Sequence, residues 1–421
     1  MTRTGVTVPA VSAAGETPVA APPSPVARFA QLALVLPRAV AFLLGAGRKP
    51  RAGIPRLRPS PPTVAAVVLD DLVSTVQYVM AGSVEGRLDA RTLERAATAL
   101  RDGGYLDRPA TFHVAPPAPV GGATTVQVRR TLGITYEHVT YPSDYHWAIA
   151  DPDAAWLADE RNQVAHAYVL RHDDRPRPWL VSIHPTGVGS PVDMRWMGSL
   201  ALHRELGINV IHPVLPKHGP RRRRGQSRVS FPSPDGVVNL QAFSQAVWDV
   251  RRAIAWARLQ GATSVGLHGL SLGGYTAALI AGIEDDLDCV IVGLPPSDLP
   301  ALMVRHASRY LTAELAAEEL APIGSLASRD VNRPISPLEF APRLRRDRRF
   351  VYAAVGDRVA TPEQAVGLWR HWDEPDILWI QSSHLPAPML RETRRFVRDA
   401  LDASGIVGQG PVSAPVALAT R

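Results

Sequence analysis

Cysteine is nearly missing: Cys289 is the single one in 421 residues. One thiol excludes an internal disulfide framework and any cysteine-based zinc cluster. It fits a reducing compartment, so a cytoplasmic protein is expected. A strong charge of either sign is missing too. The 46 Lys and Arg stand against 39 Asp and Glu, a net of +7. That excess, nearly all Arg, is too small for this length to indicate a nucleic-acid partner. The first 25 residues lack a charged start followed by an apolar block, and read as an Ala/Pro-rich disordered tail. Phe29 to Gly47 is apolar, but Pro37 and Arg38 interrupt it. Neither side reaches the ~20 apolar residues of a bilayer span. The expectation is a helix lying on the protein's own core, with peripheral membrane contact as the lesser reading. No repeat period is visible.

Hydrophobic residues make up 46% of the chain, enough for a large core. Residues 26–122 read as a helical extension. Its second helix, Thr63 to Met80, carries Val64, Val68, Leu72, Val76 and Val79 near helical spacing. Its third, Asp89 to Arg101, has Asp89 as a candidate N-cap. A Pro/Gly-rich link closes the extension near Gly122. From about Thr131 short apolar runs alternate with helical stretches, up to about residue 404, and residues 405–421 read as a flexible tail. The runs include WLVSI (from Trp179), INVIHPVL, SVGLHG, CVIVGL, FVYAAVG and DILWIQ. Leu240 to Leu259 is an amphipathic helix with Phe243, Val247, Val250, Ile254 and Ala257 on one face. Alternating apolar strands and helices indicate an α/β fold, a mainly parallel sheet covered on both faces.

One stretch, GLHGLSLGGYTAAL (Gly266 to Leu279), surrounds a serine with very little side chain. Ser271 follows a predicted strand and opens a predicted helix. That is the setting of a nucleophile elbow, where bulky neighbours would clash. Gly269 and Gly273 relieve the crowding, and the helix N-terminus favours developing negative charge. A serine hydroxyl needs a base. Of 13 histidines, only His384 follows the last strand-like run. His268 lies inside the strand before the elbow and reads as a core residue; His212 and His218 lack metal-ligand spacing. The base needs an orienting carboxylate. Asp357 follows a strand between Ser271 and His384, with Asp298 as the alternative. Oxyanion donors are expected from the amide of Leu272 and from SIHPTGVGS, where Pro185 has no N–H and Thr186 or Gly187 is the candidate.

These residues carry a resemblance. Over about Thr131 to Ser404 the chain resembles the α/β-hydrolase superfamily, through HPTG, GLSLGG, GDRVATPEQ and SSHL. ISPLEFAPRL is similar to linkers in the dienelactone-hydrolase and prolyl-oligopeptidase-like branches. The N-terminal helices with LPKHGPRRRR more loosely resemble the eighteenth α/β-hydrolase-domain branch. The chain departs from the common pattern at Pro185 and at Leu270. The resemblance implies acyl transfer to water by Ser271, His384 and Asp357 without a cofactor. A carboxylic ester, such as a lipid ester, is the expected substrate. An acyltransferase, a prolyl-oligopeptidase-like peptidase and a noncatalytic interaction protein remain alternatives. The insertion at about 299–333 lies where this superfamily carries a lid. The Arg221–Arg224 run reads as a solvated charge cluster, or one that holds the adjacent loops through acidic partners; the sharper reading is an anion site near the mouth.

Overall fold

The computed structural model describes residues 24–46, 51–81, 90–119, 121–149, 156–222, 231–311 and 321–407. The apolar runs become a nine-stranded sheet in the order β1-β2-β3-β5-β4-β6-β7-β8-β9. Its strands are β1 (Thr125–Thr131), β2 (Ile134–Pro142), β3 (Val164–Leu170), β4 (Trp179–Ile183), β5 (Asn209–Pro213), β6 (Val265–Leu270), β7 (Cys289–Gly293), β8 (Arg349–Ala354) and β9 (Asp376–Ile380). β1 pairs antiparallel with β2, β2 with β3 and β3 with β5. From β5 through β9 every pairing is parallel. The central strands β4 to β8 are buried at every residue, because helices cover both of their faces. This is the α/β-hydrolase architecture.

β1 opens the sheet at Thr125, earlier than the change of pattern at Thr131 suggests. The strand lies at the sheet edge and is exposed along nearly its whole length. It has no core to fill, so its sequence carries no apolar run, and Arg129 and Arg130 discourage further pairing there.

The helices are α1 (Pro25–Ala30), α2 (Val35–Ala46), α3 (Pro61–Ala81), α4 (Ala90–Asp102), α5 (Asp193–Trp196), α6 (Ser199–Leu206), α7 (Gly236–Leu259), α8 (Leu272–Ala281), α9 (Leu299–Ala307), α10 (Leu326–Asn332), α11 (Pro362–His371) and α12 (Arg391–Ala403). Residues of α6 and α12 pack on one face of the sheet, and residues of α7, α8 and α11 on the other, so the protein has two core layers. The expected N-cap Asp89 lies outside the described residues. Within the insertion at 299–333, α9 and α10 are helical as expected.

Two helices differ from their sequence pattern. α7 starts at Gly236, four residues early, because Asp235 caps it by accepting from the amides of Val237 and Val238. It also buries its polar side. Gln245 accepts from Trp156 Nε1, Asp249 from Ser143 Oγ, and Arg252 donates to the Ser143 carbonyl. The β2–β3 connection thus covers the face that periodicity assigns to solvent. In α3 the spacing stripe is turned outward: Val64, Leu72 and Val76 are 37–42% exposed. The buried side carries Thr63, Ala66, Val67, Asp70, Asp71 and Thr75 instead. Polar partners across the contact, described below, decide that orientation.

Candidate active site

β6 ends at Leu270 and α8 begins at Leu272, leaving Ser271 alone at the turn with φ 54° and ψ −114°. A positive φ is strained for a residue with a Cβ. Ser271 N donates to Gly293 O on β7 at 2.8 Å, which holds the turn against the neighbouring strand. The flanking glycines are required by space. A Cβ on Gly269 would lie 2.0 Å from Gly273 O, and one on Gly273 would lie 2.2 Å from Ile183 O of β4.

His384 lies after β9, and its Nε2 is 3.0 Å from Ser271 Oγ. Its Nδ1 is 2.7 Å from Asp357 Oδ2. Asp357 follows β8, and its other oxygen accepts from the amides of Val359 and Ala360 at 2.8 Å each. One carboxylate oxygen is thus fixed by backbone and the other is aimed at the imidazole. Burial favours the neutral ring of His384. The charge and hydrogen bond of Asp357, with the charge of Asp70, outweigh that and raise its pKa above the usual 6.5. The three residues expected from the sequence are therefore brought into one hydrogen-bonded line. Ser271 is 8% exposed and His384 7%, so the line is almost closed to water.

Asp70, on α3, was not foreseen. It is wholly buried, and its carboxylate accepts from the amides of His384 (2.9 Å), Leu385 (3.1 Å) and Arg358 (3.1 Å), and from Ser383 Oγ. It therefore ties the His384 loop to the loop that bears Asp357. Burial, then the nearby Asp357 charge, push the Asp70 pKa up. Its neighbour Asp71 pairs with Arg358 at 3.0 Å. Asp70 and His384 are 314 positions apart, and an Asp-Asp pair inside an apolar run was the only hint in the sequence.

The loop after β4 contains Thr186 and Gly187, both exposed, with Gly187 at φ +88°. That φ suits the third position of a type II turn. Among the described residues, the amides of Leu272, Thr186 and Gly187 donate to no backbone carbonyl. His184, at the head of this loop, accepts from Leu215 N through Nε2 at 3.1 Å, so its proton sits on Nδ1, 2.8 Å from Pro185 O. Burial pushes its pKa down to about 4, which keeps the ring neutral. His184 therefore fixes the start of the loop that carries the two candidate donors.

The remaining candidates have structural partners. Asp298 caps α9 by accepting from Ala301 N, and its own amide donates to Gln364. His268 is a core residue as expected, with Nε2 3.0 Å from Tyr352 Oη and its pKa pushed down to about 4 by burial. His212 meets Ser199 Oγ, and His218 meets Pro216 O. Among the described residues no group of three or more His, Cys, Asp or Glu is placed to hold a metal ion. At its first member, the Arg221–Arg224 run follows the expectation of loops held through an acidic partner. Arg221 is wholly buried, 2.7 Å from Asp249, and donates to Val214 O and Asn162 O. It is neither solvated nor at a site mouth; it anchors the loop after β5 to α7. Arg222 is exposed, while Arg223 and Arg224 lie outside the described residues.

No protein-family model matches the chain. It is 35% identical over 369 residues to the uncharacterized protein Rv2627c of Mycobacterium tuberculosis (strain ATCC 25618 / H37Rv), over 84% of this chain and 85% of that protein. It is 38% identical over 316 residues to the uncharacterized protein MT2702 of Mycobacterium tuberculosis (strain CDC 1551 / Oshkosh), over 72% of each. Among solved structures it is similar to an acetyl xylan esterase from Paenibacillus sp. R4, with a TM-score of 0.49 and 14% identity, over 73% of this chain and 98% of that one.

Proposed function

We propose that the chain, which belongs to one family with these two mycobacterial proteins, is a serine hydrolase of the α/β-hydrolase superfamily that cleaves a carboxylic ester. The observation that carries this reading is the line from Ser271 Oγ to His384 Nε2 (3.0 Å) and from His384 Nδ1 to Asp357 (2.7 Å), built on a strained elbow. A fold of this kind serves many purposes, so the site carries the argument. Ser271 Oγ attacks the ester carbonyl as His384 Nε2 takes its proton. Asp357 holds the ring through Nδ1 and stabilises the imidazolium. The amide of Leu272, with Thr186 or Gly187, receives the oxyanion. His384 then protonates the leaving alcohol, and water repeats the sequence on the acyl-enzyme. The elbow geometry supports Ser271 as nucleophile, and the two backbone hydrogen bonds on Asp357 support it as a fixed acid. The insertion that carries α9 and α10 is the lid in this reading, and it would shape the acyl pocket. None of these steps calls for a cofactor.

The test is labelling with a fluorophosphonate probe, followed by p-nitrophenyl esters of rising chain length. Ser271→Ala is expected to lose labelling and to lower kcat by about 10⁴–10⁶ with an unchanged fold. Full labelling of that variant refutes the assignment. Asp357→Asn is expected to lose far more activity than Asp298→Asn. An added alcohol acceptor separates hydrolysis from acyl transfer by the product formed.

A further inference from the structure

We propose that the outward face of α1–α3 docks on an anionic lipid surface, with α1 and α2 lying along that surface rather than crossing it. The first observation is an inverted distribution of side chains. On α3, Val64, Leu69, Leu72 and Val76 are 37–42% exposed, whereas Asp70 and Asp71 are 0% and 3% exposed. α1 and α2 continue the surface with Phe29, Leu36, Val40 and Leu44, each more than half exposed. Scattered apolar residues on a surface are ordinary, but a contiguous patch rimmed by charge marks an interaction site.

The second observation is the sign of that rim. Between Ser24 and Ala81 the only acidic residues are Asp70 and Asp71, and both are buried. The exposed charges among the described residues of this segment are arginines, with Arg56 and Arg58 immediately before α3. A segment with an apolar centre whose own exposed charges are all positive complements an anionic bilayer. It does not complement itself. In a two-fold dimer this patch would meet its own copy, rim against rim, with like charges facing.

The third observation decides orientation. Pro25–Gly45 is 21 residues long with a mean hydropathy of 1.6, enough by length and composition to cross a membrane. One side of it is committed to the protein, however. Val35 and Ala39 are buried, Arg38 donates to Arg309 O at 3.0 Å and lies over the Tyr310 ring, and Phe42 lies beneath Arg358. Crossing would break these contacts and place Arg38 among acyl chains. Lying flat keeps them and wets only the apolar side with lipid.

Flotation of the full chain with phosphatidylcholine vesicles, with and without phosphatidylglycerol, tests the proposal without reference to enzymatic activity. The chain is expected to float with the mixed vesicles and much less with pure phosphatidylcholine, and to release charge-dependent binding as salt approaches 1 M. The variant Arg56→Gln/Arg58→Gln is expected to weaken binding to mixed vesicles by more than tenfold at low salt, at about 1 kcal/mol per arginine. Leu36→Gln/Val40→Gln/Leu72→Gln is expected to abolish it with an unchanged circular dichroism spectrum. The salt response of the unaltered chain gives a readout that no folding defect can mimic. The proposal is overturned if the unaltered chain stays unbound to mixed vesicles, or if the apolar variant binds as well as the parent. It is also overturned if sedimentation equilibrium shows a dimer that the apolar variant dissolves while neither form binds vesicles, because the face then belongs to a second copy.

Discussion

α8 and α3 both meet the Ser271–His384 pair, and they are built in opposite ways. α8 is buried at every one of its ten positions and has no charged residue. What it brings to the site is backbone: its N-terminus and the space its glycines leave. α3 exposes Val64, Leu69, Leu72 and Val76, and brings one side chain, Asp70, to the backbone of another segment. In α8 the requirement is steric and local, so neighbouring residues record it. In α3 the requirement is electrostatic and remote, and the sequence near Asp70 hints at it only through the Asp-Asp pair in an apolar run.

The largest expected effect lies on the α8 side. Gly273→Ala puts a Cβ 2.2 Å from Ile183 O and 2.8 Å from His184 O. Both obstacles are backbone of β4 and its loop, so neither can swing away. The expected outcome is loss of the elbow, seen as no probe labelling and a collapse of the urea midpoint. Gly187→Ala is the matched control. Its Cβ meets nothing within 4 Å, so only the positive φ opposes it. That costs about 1 kcal/mol, and an equal loss in both variants would refute the steric account.

Next comes Arg221, whose charge is buried against Asp249. Removing one partner of a buried ion pair costs about 3–5 kcal/mol, because the other charge is left without compensation. Arg221→Met is expected to lower stability by that order, read by chemical denaturation. Adding Asp249→Leu is expected to recover much of the loss. A stability unchanged by Arg221→Met would restore the solvated reading of this run.

The same contrast explains what the sequence discloses. The order of apolar runs, the elbow glycines and the positions of Asp357 and His384 at strand ends are all local patterns, and they suffice for the parallel sheet and for the line of three residues. Asp298 was a reasonable rival for Asp357, since each follows a strand. Asp298 is taken up by the first turn of α9, whereas Asp357 has one oxygen left for His384. Arg221 looked like its neighbours in a run of four arginines, yet it alone among the two described is inside. A charge run has no periodicity from which burial could be read. α7 concealed its polar partners for a related reason: Gln245 and Asp249 face a loop whose course depends on the whole sheet.

A smaller effect tests α3 directly. Asp70→Asn keeps the shape but removes the negative charge near His384. Its expected activity loss is on the order of tenfold, since a hydrogen bond to a charged group contributes ~1.5–3 kcal/mol and the amide preserves only part of it. The decisive readout is the pH profile. Catalysis needs neutral His384, so the rate rises with pH through a pKa held above 6.5. Without the Asp70 charge that pKa falls, and the acidic limb moves to lower pH. The stability linked to His384 protonation, fully present below 6.5 and lost as pH rises through the folded-state pKa, shrinks as well. A lower kcat with an unmoved limb would leave Asp70 with a purely structural role.

The smallest effect belongs to the outer side of α3. Leu72→Gln in solution replaces a side chain that is 42% exposed and fills no cavity. Glutamine has nearly the helix propensity of leucine. Surface substitutions of this kind stay within about ±0.5 kcal/mol, so the urea midpoint is expected to stay almost unchanged. Val67→Gln, one turn away on the same helix, is the opposite case. Val67 is fully buried, and its Cγ2 lies 3.2 Å from the position a Cβ on Gly356 would take. An amide there has no partner and presses on the loop that carries Asp357, at a cost of about 1–3 kcal/mol. The two variants share a helix and a type of replacement, so their difference isolates the face. If Leu72→Gln were as costly as Val67→Gln, the outward side of α3 would already be covered within the folded chain.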